Sequence, residues 1–475
     1  MMPLSVSLPR RHALSPLHGG LSLTILLAFG CGDGSEPSHG SGGAGNIGSG
    51  GDVNTTGSGG ALLTTGGTSG GGGTQAAGGS SDSISGGGPN SSGGGGSTDV
   101  LADVTVRAGT LSRDHTIVSF QYAGANGQVL ALRDAEGEEL PVQVDANGVA
   151  TFILPTLAAN AEATFSLTQL TGEPSAGVTA TEVGGVVRLG IGESTVADFR
   201  VTSTPPSGVD AIDVRAGYLH PVYTPAGTVV TDDYPEDHRW HHGIWTAWTQ
   251  AEFNGHVVDF WNTYKNEGRV DLEGVEETWQ GPVHAGLDAK LIHVDLVGGS
   301  TTALNERWVV RAYKTHAGSS PYFVFDLEST QTAATAAPVE LLQWDYGGFA
   351  FRGHGEWADV SKANFLASDG KDRAAGDGQT GRWCFLGGSV GGSQVGYAAL
   401  GHPSNFRAPQ TMRIHPTDPY MAFSPVKDGP FTIEPNAPYV TRFRVVTIDG
   451  APDTALLDRL WNDYATPPEV TVTPR

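Results

Sequence analysis

The sequence predicts an all-β protein: a large antiparallel two-sheet sandwich, preceded by a small β-sandwich and closed by one C-terminal helix. Short runs that alternate apolar and polar residues recur from Val100 onward, at a spacing of about ten residues. Turn-forming residues separate these runs, and segments with the period of an α-helix are scarce. The alternation therefore favours strands over helices through most of the chain.

Residues 100–170 are predicted to form the small β-sandwich. The runs 116–122, 140–144 and 150–154 have strand character, and the Asn147-Gly148 dipeptide between the last two is typical of a hairpin turn. Histidines and carboxylates do not cluster in this stretch. We therefore expect this domain to support the rest of the protein.

Residues 182–468 are predicted to form the large sandwich. Its strand-like runs are too numerous for a simple seven-strand sandwich, and a larger two-sheet arrangement fits them better. Residues 453–464 carry apolar side chains at helical spacing, with Asp453 placed to cap the helix and Pro467 placed to end it. This segment predicts the closing helix.

The N-terminus predicts export. Arg10 and Arg11 precede a short apolar run, and a small residue then precedes Cys31, as in bacterial lipoprotein signals. We expect residues 1–31 to be the signal peptide and Cys31 to be lipidated; ordinary signal cleavage is the alternative. Residues 32–99, rich in Gly, Ser and Thr, predict a disordered tether. The expected location is the cell envelope, with the outer membrane as partner through the lipid anchor, facing the periplasm or the cell surface.

Charge and missing motifs exclude several classes of partner. The net charge of −23 argues against nucleic acid, which requires a cationic surface. The sequence also lacks a P-loop and a dinucleotide-binding glycine motif, which argues against nucleotides. No cofactor is predicted, although a divalent metal ion remains possible.

Residues 218–261 concentrate histidines, carboxylates and aromatic side chains. Histidine exchanges protons near neutral pH, and a neighbouring carboxylate orients its ring. We therefore take His238 and His242 as candidate general acid or base, with Asp237 as the orienting or proton-accepting carboxylate. His220, and His402 on a later loop, complete the catalytic candidates.

The same histidines could instead hold a metal. His238 and His241 would lie on one face if their segment is turn-like, whereas in an extended strand His241 and His242 would point to opposite faces. The flanking Pro235 and Gly243 favour a loop. His238 and His241 are thus the candidate metal ligands, and a purely structural role is the alternative for each histidine.

Substrate-binding candidates are polar or aromatic residues that could meet a polyhydroxylated ligand. The tryptophans could stack on a sugar ring or simply pack in the core, and the arginines could bind an acidic group or form surface salt bridges. The candidates are Tyr223, Asp233, Glu236, His241, Trp245, Trp261, Arg352, Asn405 and Arg407.

The run YLHPVYTPAGTVVTDDYPEDHRWHHGIW, with the later segments DFW, GGFAFR and HPSNFRAP, resembles a bacterial family often labelled "methane oxygenase PmoA". The resemblance covers about residues 185–465 and implies a galactose-mutarotase-like supersandwich in a sugar-catabolic setting. Literal methane oxygenation is not expected. A genuine particulate methane monooxygenase subunit has several spanning helices, whereas this sequence has no long apolar run beyond its signal.

Three functions follow from these residues. The first is an exported carbohydrate-active enzyme, an epimerase, lyase or hydrolase, that acts on a sugar or sugar derivative. The second is a non-catalytic carbohydrate-binding lipoprotein, and the third is a metal-dependent oxidase, as the family label suggests. We expect the first, with a carbohydrate or small polyhydroxylated ligand as partner.

Overall fold

The structure is a computed structural model that describes residues 99–124, 129–170 and 176–475. These residues belong to one compact unit, Ser91–Arg475. The predicted signal peptide with Cys31, and the predicted tether up to residue 98, lie outside the described residues. Within the described ranges, no helix combines the length and the apolar character needed to cross a membrane.

The described residues form 27 strands and two α-helices. The first strands coincide with the predicted N-terminal runs: β1 (Val100–Arg107), β2 (Arg113–Gln121), β3 (Leu130–Arg133), β4 (Glu139–Val144), β5 (Val149–Leu157) and β6 (Glu162–Gln169). The next group consists mostly of short strands: β7 (Val178–Val183), β8 (Val186–Ile191), β9 (Ser194–Arg200), β10 (Leu219–Val222), β11 (Ile244–Ala247), β12 (Ala251–Phe253) and β13 (His256–Val258).

Four long strands and a short one occupy the middle of the chain: β14 (Gly268–Trp279), β15 (His284–Asp295), β16 (Thr301–Tyr313), β17 (Tyr322–Ala333) and β18 (Val339–Leu341). The remaining strands are β19 (Gly348–Arg352), β20 (Ala363–Ala367), β21 (Trp383–Val390), β22 (Ser393–Gly401), β23 (Met412–Ile414), β24 (Tyr420–Phe423), β25 (Phe431–Ile433), β26 (Tyr439–Asp449) and β27 (Glu469–Pro474). The helices are α1 (Arg373–Gly376) and α2 (Thr454–Ala465).

Antiparallel pairing joins these strands into four sheets. The N-terminal sheet has the order β2-β5-β4-β3-β6-β1-β27, so the last strand of the chain returns to pair with the first. The first large sheet has the order β23-β24-β19-β11-β10-β9-β8-β7, and the second large sheet β14-β15-β16-β17-β26-β22-β21-β20. A small sheet, β13-β12-β18-β25, completes the set. The predicted all-β fold is confirmed.

The main hydrophobic core lies between the two large sheets. One buried cluster contains Phe199 and Trp245 from the first sheet and Leu287, Trp308 and Phe325 from the second. The rings of Phe199 and Trp308 meet across the gap, with centroids 6.2 Å apart. The strands of the second sheet bury alternate residues, so their other residues face outward.

The predicted closing helix is also confirmed, as α2. The Asp453 carboxylate accepts a hydrogen bond from the backbone N–H of Leu456 and caps its start. Asp463, near its end, forms a buried ion pair with Arg113 of β2 at 2.9 Å. The helix therefore ties the N-terminal sheet to the two-sheet sandwich.

Candidate functional site

The loop between β10 and β11 carries the predicted histidine cluster. Two consecutive backbone turns shape it: the N–H of His238 donates to Pro235 at 3.1 Å, and the N–H of His241 donates to His238 at 2.9 Å. These turns bring the rings of His238 and His241 into a stack with centroids 4.5 Å apart. His242 lies on the other side of the loop, against the ring of Tyr234.

Close backbone packing positions the end of this loop against two other strands. A Cβ atom on Gly243 would lie 2.2 Å from the carbonyl oxygen of Leu219, so only glycine fits where β11 meets β10. The carbonyl of Gly243 accepts a hydrogen bond from the N–H of Arg352, the last residue of β19. Arg352 pairs with Tyr420 at the start of β24. The loop therefore meets the β23–β24 turn at one edge of the first large sheet.

Side chains from these three segments form one polar cluster. Asp237 Oδ2 lies 2.8 Å from His238 Nδ1, and Arg352 Nη2 donates to both oxygens of Asp237 at 2.9 Å. Asp418 Oδ2 lies 3.4 Å from the same nitrogen of His238. We call this set the Asp237 cluster; its members are Asp237, His238, His241, Arg352, His415 and Asp418.

The β23–β24 turn supplies two members that the sequence analysis missed. His415 Nδ1 lies 3.3 Å from Asp418 Oδ2, and its ring stacks on Tyr420 with centroids 4.7 Å apart. The segment 415–420 reads HPTDPY, and its His-Pro start repeats that of the segment at residue 402. The repeated His-Pro dipeptide was the sequence signal that could have pointed to this segment.

The two carboxylates of the cluster have opposite pKa shifts. Burial alone would raise the pKa of Asp237, but the hydrogen bond from His238 and the charge of Arg352 outweigh it and hold that pKa well below its ordinary value. Burial raises the pKa of Asp418; the charge of Arg352 opposes this increase and the charge of Asp237 adds to it. On acidification, Asp418 therefore takes up a proton before Asp237 does.

His241 is held neutral inside the cluster. Burial lowers its pKa well below the ordinary value, and the charges around it, among them Arg352, lower it further. Its Nε2 faces the indole N–H of Trp261 at 3.3 Å, and its Nδ1 faces Arg352 Nη1 at 3.5 Å. Because Nε2 accepts the indole N–H of Trp261, Nδ1 carries the hydrogen of the neutral ring, so His241 is poorly placed to bind a metal ion.

The cluster has an aromatic rim and two unsatisfied donors. Trp240 packs against Tyr264 with ring centroids 4.5 Å apart, and Tyr264 is 43% exposed. Within the described part of the chain, the buried Nε1 of Trp240 and the buried Nε of Arg352 have no hydrogen-bond partner. Trp245 and Trp261 are almost fully buried in the core, so the exposed aromatic surface comes from Trp240 and Tyr264.

The arrangement does not fit a divalent metal. One ligand atom each of Asp237, His238 and Asp418 lies within 4.8 Å of the other two, which is close enough for a shared ion. However, Asp237 already binds the guanidinium of Arg352 with both oxygens, and His238 directs an Nδ1–H at the same carboxylate. A metal ion would be repelled by that positive charge. Arg352, which is 1% exposed, is the cation of this site.

A second Asp–His pair lies on the opposite side of the loop. His242 Nδ1 lies 2.9 Å from Asp233 Oδ1, and the Tyr218 hydroxyl donates to Asp233 Oδ2 at 2.8 Å. Burial lowers the pKa of His242, although Asp233 opposes the shift. Burial alone would raise the pKa of Asp233, but the hydrogen bond from His242 outweighs it and keeps the pKa below its ordinary value. This pair is shielded from water.

Three other predicted site residues of the loop region have hydrogen-bond partners or exposure that do not involve the Asp237 cluster. His220 Nδ1 lies 2.9 Å from the Thr231 hydroxyl, and burial lowers the pKa of His220 to about 4. Tyr223 is half-buried, and its carbonyl accepts a hydrogen bond from Thr447. The Glu236 side chain points to solvent, and 95% of its surface is exposed.

The predicted residues of the 402–409 loop lie elsewhere. Asn405 bonds to the backbone of Arg442 through both its amide oxygen and its amide nitrogen. His402 bonds to the Ser404 hydroxyl, and Arg407 donates to three backbone carbonyls of residues 425, 429 and 430. None of these partners belongs to the Asp237 cluster. The hydrogen bonds of His402, Asn405 and Arg407 therefore do not connect this loop with the cluster.

Fold and site together describe an all-β sandwich protein that carries a partly exposed Asp–His–Arg cluster at the edge of one sheet. The chain belongs to a family of unknown function, DUF6807, which it matches over residues 186–462, more than half of its length. The match covers the Asp237 cluster and every strand of the two large sheets except β7. A comparison with curated proteins found no match. The description of the family names no activity and does not mention methane oxygenase, so that resemblance remains a prediction.

Proposed function

We propose that the protein is a carbohydrate-active enzyme of the cell envelope, exported and tethered through Cys31, which performs acid–base chemistry at the Asp237 cluster. The proposal rests on one observation: two carboxylates whose pKa values shift in opposite directions flank one imidazole. Environments that separate the pKa values of neighbouring groups are how proteins divide the roles of acid and base.

We assign a role to each group, and the distances between them support it. Ionised Asp237 accepts the Nδ1–H of His238, which fixes the ring and makes Nε2 the atom that exchanges a proton with substrate. Asp418, with its raised pKa, is the group that delivers a proton. Arg352 holds Asp237 in place and keeps it ionised.

The surroundings favour a polyhydroxylated substrate. The rim pair Trp240 and Tyr264 offers partly exposed aromatic surface of the kind on which sugar rings stack. The unsatisfied N–H of Trp240 can donate to an oxygen of the substrate. An epimerase, a lyase or a hydrolase could use this combination of an oriented base, a proton donor and an aromatic rim.

Turnover of a glycan panel tests the proposal. The purified full-length chain is incubated with neutral and acidic oligosaccharides, and products are identified by mass spectrometry. We expect at least one substrate to be converted, and conversion to be lost in His238→Gln. Binding without any product, seen by calorimetry, would contradict the proposal and favour a non-catalytic binding lipoprotein. Equal product from His238→Gln would remove the assigned base.

A further inference from the structure

A cleft of about 620 Å³ lies between the N-terminal sheet and the outer face of the second large sheet. Its floor comes from outward-facing residues of β15, β16, β17 and β26, and its opposite wall comes from β4 and the turn that follows. The volume falls within the range of about 300–1,000 Å³ that is usual for small-molecule sites. None of the residues that line it belongs to the Asp237 cluster.

A buried histidine in this cleft has an unsatisfied donor. His284 is 1% exposed, and its Nδ1 accepts a hydrogen bond from the indole N–H of Trp279 at 3.0 Å. Burial, followed by the charge of Arg311, lowers the pKa of His284 to about 3, so the ring is neutral at ordinary pH. The hydrogen of the neutral ring must then sit on Nε2, and that buried atom has no partner among the described residues.

A second unsatisfied donor lines the same cleft. The buried Nε of Arg311 also lacks a hydrogen-bond partner in the described ranges, although another nitrogen of this guanidinium lies 3.7 Å from Asp145. Buried donors without partners are costly, and a native protein usually satisfies them with water or a ligand. His284 Nε2 and Arg311 Nε thus both lack an acceptor oxygen, which water or a ligand could supply.

The charges of the cleft floor are already paired. Arg307 Nε lies 2.8 Å from Asp288, and Arg442 Nε lies 2.7 Å from Glu328. The lining as a whole carries five carboxylates against three guanidinium groups. An acidic ligand would meet net negative charge, whereas neutral hydroxyl groups could donate to the carboxylates and accept from the guanidinium groups.

We propose that this cleft is a second ligand site, which binds an uncharged oligosaccharide segment through acceptor oxygens at His284 Nε2 and Arg311 Nε. On the floor, Arg311 lies opposite Asp326 and Glu328 lies opposite Arg442 at the cross-strand spacing of about 5 Å, so donors and acceptors for hydroxyl groups lie side by side. The site is separate from the Asp237 cluster and does not depend on turnover there.

Isothermal titration calorimetry on the full-length chain tests this proposal. The neutral probes are cellotetraose, xylotetraose and mannotetraose, and trigalacturonate is the acidic counterpart. Two variants form a matched pair: His284→Asn keeps an acceptor for Trp279 but removes the donor at Nε2, whereas His284→Gln can place an amide N–H there. A third variant, Asn147→Trp, adds bulk at an exposed turn position that lines the cleft.

We expect at least one neutral probe to bind and trigalacturonate not to bind. His284→Asn should weaken binding by about tenfold or more, Asn147→Trp should weaken it as well, and His284→Gln should recover part of the affinity. His238→Gln should keep the part of the binding that His284→Asn loses. No binding of any neutral probe, or undiminished binding in Asn147→Trp, would overturn the proposal.

The same titrations separate this proposal from the proposed function. If binding is lost in His238→Gln and kept in His284→Asn, the saccharide occupies the Asp237 cluster and the cleft proposal fails alone. If binding depends on His284 while no glycan is converted, the cleft proposal stands and the enzymatic proposal fails.

Discussion

Two Asp–His pairs lie on opposite sides of one loop and differ in what surrounds them. Asp237–His238 and Asp233–His242 have almost the same Nδ1–Oδ distance, 2.8 and 2.9 Å. The Asp237 side chain is 44% exposed and that of Asp233 13%. The first pair also has Arg352 and a second carboxylate, whereas the second pair is closed off by tyrosines. Pairing alone therefore does not define an acid–base site; access and a second titratable group do.

Matched Asp→Asn substitutions should separate the two pairs most strongly. An amide at position 237 no longer fixes the ring of His238, so we expect turnover by Asp237→Asn to fall by about 10²–10⁴-fold. Asp233→Asn should retain most of its turnover but lose more thermal stability, because Asp233 is the more buried carboxylate. Turnover on the converted glycan and thermal melting measure the two effects. Equal loss of turnover in both variants would contradict the distinction.

Removal of the buried imidazole should mainly cost stability. His242→Ala leaves Asp233 with the Tyr218 hydroxyl as its remaining side-chain partner and opens a cavity, so we expect a loss of about 3 kcal/mol in the free energy of unfolding. Urea denaturation measures it. A variant as stable as wild type but without turnover would instead place His242 in the chemistry.

The dependence of stability on pH should reflect His242. Its pKa in the folded protein is below the ordinary value of 6.5. Between these two pKa values, the imidazole is protonated in the unfolded chain and neutral in the folded protein. Stability is therefore fully present above pH 6.5 and decreases as the pH falls toward the folded pKa, by up to about 1.4 kcal/mol per pH unit. His242→Gln should show a shallower decrease in urea denaturation between about pH 7 and pH 5. An unchanged slope would mean that this imidazole does not control acid stability.

Chelation should have the smallest effect. Since Arg352 supplies the positive charge at Asp237, dialysis against EDTA should change neither the melting temperature nor turnover. Loss of turnover that is restored by one divalent metal ion would show that a metal ion displaces Arg352 from the carboxylate.

The sequence predicted the fold well because strand alternation and helix capping are local properties. Asp453 caps α2 as predicted, and the N-terminal runs became β1 to β6. The sequence did not predict that residues 469–474 return to pair with β1, since that contact joins the two ends of the described chain. Pairing over such a separation depends on the packing of everything between.

The site was predicted in part. The spacing of His238, His241 and His242 allowed either a turn or an extended strand, and only the hydrogen bonds of the folded loop decide between them. Asp418 and His415 approach from a different hairpin, so no spacing in the sequence connects them with residue 238. The guanidinium group of Arg407 is of a type that binds anions, but in the structure it donates its hydrogen bonds to nearby backbone carbonyls.

The pH–rate profile of the wild type against Asp418→Asn tests the acid–base assignment most directly. If Asp418 delivers the proton, wild-type turnover declines as the pH rises through the raised pKa of Asp418, and Asp418→Asn has low turnover without that decline. A variant with the wild-type profile and turnover would show that the two carboxylates do not share one reaction.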